Sequence, residues 1–185
     1  MKNILSTAAG VFMLVLLVAN CSEEPDYESM IQEGLSSGIE NNELFLRYEL
    51  GMTRDDFFAV SWEMNRDEII SGLVKIDYEF EGLKSRALMR FYPDFVDDRI
   101  SNVPVDVQYL GWAPWNHELS SDSLTVDLVS YYEEELDASF KYVYVPHLDK
   151  NAYVSVQGNR AVTIYPLTDM VARLEFTDLK THHEK

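Results

Sequence analysis

Two neighbouring stretches decide the fold class: "GMTRDDFFAVSWEMN" (Gly51–Asn65) and "VKIDYEFE" (Val74–Glu81). In the first, Thr53 is a good helix N-cap and Asp56, three residues on, completes a capping box. Asp55 and Asp56 also sit where the positive end of a helix dipole favours carboxylates. Phe57, Val60 and Met64 then form one apolar stripe, with Phe58 and Trp62 beside it. This spacing predicts a helix from Arg54 to about Ile69, ended by Gly72. In the second stretch the period changes to two. Val74, Ile76, Tyr78 and Phe80 alternate with Lys75, Asp77, Glu79 and Glu81, the pattern of a half-buried strand. A helix followed by alternating strands, with no return to a helix between successive strands, points to an α+β chain with antiparallel pairing.

The same reading extends in both directions. Upstream, Tyr27–Ser37 places Met30, Ile31 and Leu35 at helical spacing, with Gly38 as a stop. Glu43–Tyr48 fits either an extended segment or a helical turn. Downstream, Ala87, Met89 and Phe91 continue the strand theme after a turn at 82–85. Val103, Val105, Val107 and Tyr109 alternate again, and Pro104 is expected to put the start of that strand at a sheet edge. A second helix opens near Ser121 or Asp122, with Leu124, Leu128, Tyr132 and Leu136 on its buried side. Strands follow over 140–145, 152–157, 161–165 and 172–177, and Gly158-Asn159 fits a two-residue hairpin turn. The order helix, strands, helix, strands predicts two α+β units, 27–111 and 112–179, each laying a helix on a small antiparallel sheet. The alternative is one continuous sheet with the helices on one face. Residues 180–185 read as a polar, frayed tail.

The N-terminus carries an address. Lys2 is the only charge before Glu23, and "VFMLVLLVA" (Val11–Ala19) is an apolar run closed by Asn20. A membrane span needs about 20 apolar residues, so residues 1–20 read as a secretory signal peptide. The boundary Val18-Ala19-Asn20-Cys21 resembles the lipobox of bacterial lipoproteins. Cys21 is the single cysteine of the chain. The resemblance implies that its thiol receives a diacylglycerol and that the chain is cut before it. One acyl chain holds a protein only reversibly, at about 0.8 kcal/mol per buried methylene, whereas two or three hold it firmly. Residues 21–26 then form a lipidated cysteine and an acidic tether. A serine followed by acids is similar to the surface-export tether of lipoproteins from the Bacteroidota.

At "LGMTRDDFF" (Leu50–Phe58) the chain resembles the small lipoproteins of the outer-membrane barrel-assembly machinery, the SmpA/OmlA group, and the β-lactamase-inhibitor-like proteins of similar fold. Gly51, Met52 and Thr53 match the turn that opens their first helix. In place of the Leu-Gly-x-Pro that often closes that helix stands Glu63-Met64-Asn65. The resemblance implies action by binding other proteins.

Composition narrows the chemistry. The net charge is −17 and becomes −18 when Lys2 leaves with the signal peptide. Nucleic acid demands a basic footprint, so it is not an expected partner. Anionic lipid is equally disfavoured, which leaves acyl chains on Cys21 as the contact with the membrane. With aromatic residues at 12% of the chain, one domain's worth of sequence can bury a sizeable core. His117, His147, His182 and His183 form no H-E-x-x-H arrangement, and no nucleophile elbow or Gly-rich phosphate loop occurs. No cofactor or metal is expected. A carboxylate pair is conceivable among Glu79, Glu81 and the Asp94, Asp97, Asp98 group, and would make a hydrolase. The composition alone, however, accounts for acid clusters. The stretch "YLGWAPWN" (Tyr109–Asn116) is the candidate interaction site. Tyr109, Trp112 and Trp115 would either present an aromatic platform or plug the seam between the two units. The expectation is a non-enzymatic, lipid-anchored outer-membrane protein that binds another envelope protein. The alternative is a carbohydrate- or ligand-binding lipoprotein that uses this loop.

Overall fold

The computed structural model describes residues 26–72 and 75–182. The expected signal peptide, Cys21 and most of the expected tether lie outside the described residues, as do Leu73, Val74 and the last three residues. Helix α1 spans Tyr27–Ser36 and is capped by the Asp26 carboxylate, which accepts from the Ser29 amide at 2.8 Å. Helix α2 spans Arg54–Arg66 and α3 spans Ser121–Glu135. Strands β1 (Ile76–Phe80), β2 (Ala87–Phe91), β3 (Asp94–Val96) and β4 (Arg99–Tyr109) precede α3. Strands β5 (Lys141–Val145), β6 (Lys150–Gln157), β7 (Arg160–Pro166) and β8 (Val171–Asp178) follow it. A single helical turn, α4 (Leu179–His182), continues from β8. The expected α+β class therefore holds. Residues 180–182 belong to that turn, so the frayed tail expected from Lys180 onward does not begin there.

All eight strands join one antiparallel sheet in the order β1-β2-β4-β8-β7-β6-β5, with β3 paired to the free end of β4. The division into two units, each with its own sheet, is corrected by the β4–β8 ladder. It runs from Asn102↔Thr177 to Gln108↔Val171 and crosses the expected boundary at 111/112. Pro104 was expected at an edge but lies in a central strand. On one side β3 pairs with β4 as far as Asn102 and β2 pairs from Val105 onward, so Pro104 has no partner there and the ladder is already interrupted.

The helices do not share one face. Successive side chains of a strand point to opposite faces, and β7 makes the consequence plain. Val162 and Ile164 pack in the main core with Leu124 and Leu128 of α3 and with Phe57 and Met64 of α2. Ala161 and Tyr165 pack on the other side, among Tyr27, Ile31 and Met30 of α1. Thus α2 and α3 cover one face, and α1 covers the opposite face at the β5–β6–β7 end. Beyond α1 that second face is open and polar. It presents Asp77, Arg90, Asp106, Arg173 and Glu175, with Arg90 on Asp77 at 2.8 Å and Arg173 on Asp106 at 2.8 Å.

Local departures have local causes. Helix α2 ends at Arg66, three residues before the expected Ile69, because Glu68 takes a left-handed φ of 59°. Residues 43–49 are neither strand nor helix. They close a tight turn in which Leu46 has φ 57° and Glu43 bridges Glu49. Gly158 has φ 64° at the first position of the two-residue β6–β7 turn, where that hairpin type asks for glycine. The Asp97-Asp98 pair forms the β3–β4 turn, with φ of 48° and 64°. The acid group that offered itself as a ligand set is thus a hairpin turn of the mirror-image type, a conformation that aspartate tolerates better than most residues.

Candidate functional site

The loop after β4 is built by three constraints. Trp112 donates its amide to the Tyr109 carbonyl at 3.3 Å, closing the turn off the strand. The Asn116 amide reaches back to the Ala113 carbonyl at 2.8 Å. The Ser121 amide donates to the Asp169 carbonyl at 3.1 Å, tying the start of α3 to the β7–β8 turn. The Ser120 hydroxyl caps α3 by accepting from the Ser123 amide. Loop and turn together enclose an open cleft of about 750 Å³, lined among others by Trp112, Asn116, His117, Asp122 and Asp169.

The three aromatic residues of this stretch separate. Trp115 is 82% exposed and projects from the loop. Trp112 is half-buried and walls the cleft. Tyr109 is fully buried, so its assignment as an interaction residue is corrected. As the last residue of β4 it inherits the inward face of Val103, Val105 and Val107, and its hydroxyl donates to the Asp127 carboxylate of α3. Burial, then that carboxylate, push the Tyr109 phenol well above its ordinary range. The expectation that both tryptophans plug a seam between two units fails, because the sheet is continuous and has no such seam, and Trp115 stands in solvent. Two neighbouring leucines, Leu110 at 47% and Leu167 at 41% exposed, add apolar surface near this end of the sheet.

The other candidates disperse. Glu79 pairs with Arg86, whose guanidinium also stands 3.8 Å from Glu81. Asp98 pairs with Arg54 at 3.2 Å. Among the described residues, no three His, Cys, Asp or Glu side chains come together to hold a metal ion. Likewise, no described helix is long and apolar enough to cross a membrane. Cys21 and His183 lie outside the described residues.

No known protein family matches this chain. No curated protein and no solved structure is a significant match either. The site must therefore be read from its own geometry.

Sequence reasoning missed the exposed face of α2. Phe58 and Trp62 flank the buried stripe in the sequence pattern, yet Trp62 is 65% exposed, with the Arg66 guanidinium over its ring at 5.3 Å. A signal was present in the spacing: Phe58 and Trp62 are four apart and offset by one from Phe57, so they point away from Met64.

Proposed function

We propose that this chain is a lipid-anchored protein of the bacterial outer membrane, tethered through acyl chains on Cys21, which works by binding another envelope protein rather than by catalysis. The observation that supports a binding role is Trp115. A tryptophan that leaves four-fifths of its surface in water gives up a large hydrophobic contribution, and such residues are typical anchors that fill a pocket on a partner. Its loop is braced at both ends by backbone hydrogen bonds, which lowers the ordering cost of binding. The net charge of −17 favours a partner with a basic surface.

The cleft favours a second reading, carbohydrate binding. Trp112 offers a ring wall beside the polar side chains of Asn116, Asp122 and Asp169, the mixture that sugar recognition uses. The two readings separate by residue, because Trp115 projects outward while Trp112 walls the cleft. A photo-crosslinking residue placed at position 115 in cells should give one adduct of defined mass, absent when it is placed at Glu134 on the outer side of α3. Adducts of equal abundance at both positions would reject the protein-binding reading. Glycan-array binding abolished by Trp112→Ala, but not by Trp115→Ala, would favour the carbohydrate reading instead. For the anchor, Cys21→Ser should move the protein from the membrane to the soluble fraction.

A further inference from the structure

Where α1 ends its cover of the second sheet face, a cavity of about 400 Å³ remains between helix and sheet. Tyr27 and Glu28 of α1 form one wall, and Thr163 of β7 and Glu175 of β8 form part of the floor. Ile31 and Leu179 supply an apolar end. Its size suits a small ligand or a single inserted side chain.

Three features give this cavity a chemical preference. First, two carboxylates line it and no lysine or arginine does. Neither Glu28 nor Glu175 forms an ion pair with any described residue. Second, Glu175 is held in place. Its Oε1 accepts from Asn102 Nδ2 at 2.9 Å, and the Asn102 carbonyl oxygen accepts from the Thr177 hydroxyl at 2.9 Å. Its other oxygen has no partner among the described residues. Third, Thr163 is only 6% exposed, and its hydroxyl makes no hydrogen bond to a described residue. Among the described residues the fully enclosed side-chain polar atoms without a partner are Thr125 Oγ1 and Arg160 Nε, so the Thr163 hydroxyl is instead open to the cavity and offers its oxygen there. The Tyr27 ring, packed against His147 at 5.7 Å, gives a flat apolar wall beside these oxygens.

We propose that this cavity binds a primary ammonium group carried on a slender apolar stem, with the ammonium between Glu175 and Thr163 and the stem along Tyr27 and Ile31. An ammonium has three donors and no acceptor, which matches the unpartnered Glu175 oxygen and a Thr163 hydroxyl that can accept, with the Tyr27 phenol and the His147 imidazole among the other polar groups of the lining. A divalent metal is a poorer fit, because hard cations ask for six or more oxygens and no such group forms among the described residues. The acidic surface as a whole raises the local concentration of cations. The source of the ammonium is either a free alkylamine or the lysine side chain of a peptide.

Calorimetric titration of the mature chain tests this with n-butylammonium and with Nα-acetyl-lysine methylamide, against n-butanol as a neutral isostere. At least one ammonium should saturate at one per chain, and n-butanol should bind about tenfold more weakly or not at all. Saturation by butylammonium alone identifies a free amine as the ligand, and saturation by the lysine derivative alone identifies a side chain. Glu175→Gln should weaken binding about tenfold. Glu28→Gln, at an exposed position that leaves the fold alone, should weaken it by less. Melting curves of both variants should match the parent, and methyl resonances of Thr163 should shift on titration. The proposal is overturned if neither ammonium binds, if n-butanol binds as well as the ammonium, or if both glutamine variants bind as the parent does.

Discussion

Thr53 shows how far a single oxygen can organise a helix. Its hydroxyl accepts from the Asp56 amide at 3.2 Å and donates to the Asp56 carboxylate at 2.7 Å. The Thr53 half of the capping box read from the sequence is therefore present, while the Asp56 carboxylate takes the Thr53 hydroxyl rather than reaching back to the Thr53 amide. Thr53→Ala should lower stability by about 1 kcal/mol, measured by urea unfolding; an unchanged midpoint would mean that the cap contributes nothing. Gly34 makes the opposite point, since nothing in "YESMIQEGLSS" marks it as special. A Cβ there would stand 2.4 Å from Val156 Cγ1 and 2.8 Å from the Gly158 carbonyl oxygen. Glycine thus lets α1 approach the β6–β7 turn closely. Gly34→Ala raises intrinsic helix propensity yet should destabilise by about 1–3 kcal/mol through overpacking. A rise in melting temperature would show that α1 does not sit where the structure puts it. Caps were legible because they are local. The close approach of Gly34 was not, because its partner lies more than a hundred residues away.

Elements were legible wherever hydrophobic period and burial agree. The alternation of Ile76–Phe80 and of Val103–Tyr109 named both strands and their inward faces. What the sequence left open was which face each helix takes. The one available clue was "AVTIY" (Ala161–Tyr165), a run buried on both sides without alternation. Continuous burial of this kind marks a strand covered on both faces, and here it signals α1 lying opposite α3. The candidate sites divide in the same way. The exposed aromatic loop was visible as a cluster of tryptophans between two elements. The cavity beside Glu175 joins residues from 27 to 179 and left no local trace. If α1 is a true structural layer, Ile31→Ala should cost about 2–4 kcal/mol, comparable with Leu128→Ala on the other face. The double variant should equal the sum of the singles, because the two side chains share no neighbours across the sheet. A neutral Ile31→Ala in chemical denaturation would mean that α1 is loosely attached.

At the scale of the whole molecule, the acidic charge and the tyrosine-rich core pull against each other at high pH. Burial, then Glu28 and Glu175, raise the Tyr27 phenol from 10.0 to about 12, and burial raises that of Tyr48 to about 12. Burial also pushes Tyr132 upward. For such groups the unfolded chain loses its protons first. The stabilisation is complete below the unfolded value near 10 and is lost as pH climbs toward 12. Alkaline unfolding should therefore begin above about pH 10, with tyrosinate absorbance and loss of circular dichroism rising together. Absorbance rising well before the loss of structure would contradict the burial. The sheet itself makes the broadest claim. β4 and β8 are paired from Asn102 to Gln108, and α3 packs on β4, β7 and β8 together, so neither half of the chain has a core of its own. Folding one half alone would expose the inward faces of β4 or β8 and leave their ladder unpaired. Two independent units would melt separately, but a shared core must melt as one. Calorimetry should give a single transition whose van't Hoff and calorimetric enthalpies agree. The isolated segment 112–179 should fail to fold, and a folded fragment or a second transition would break the continuous sheet into the two units first read from the sequence.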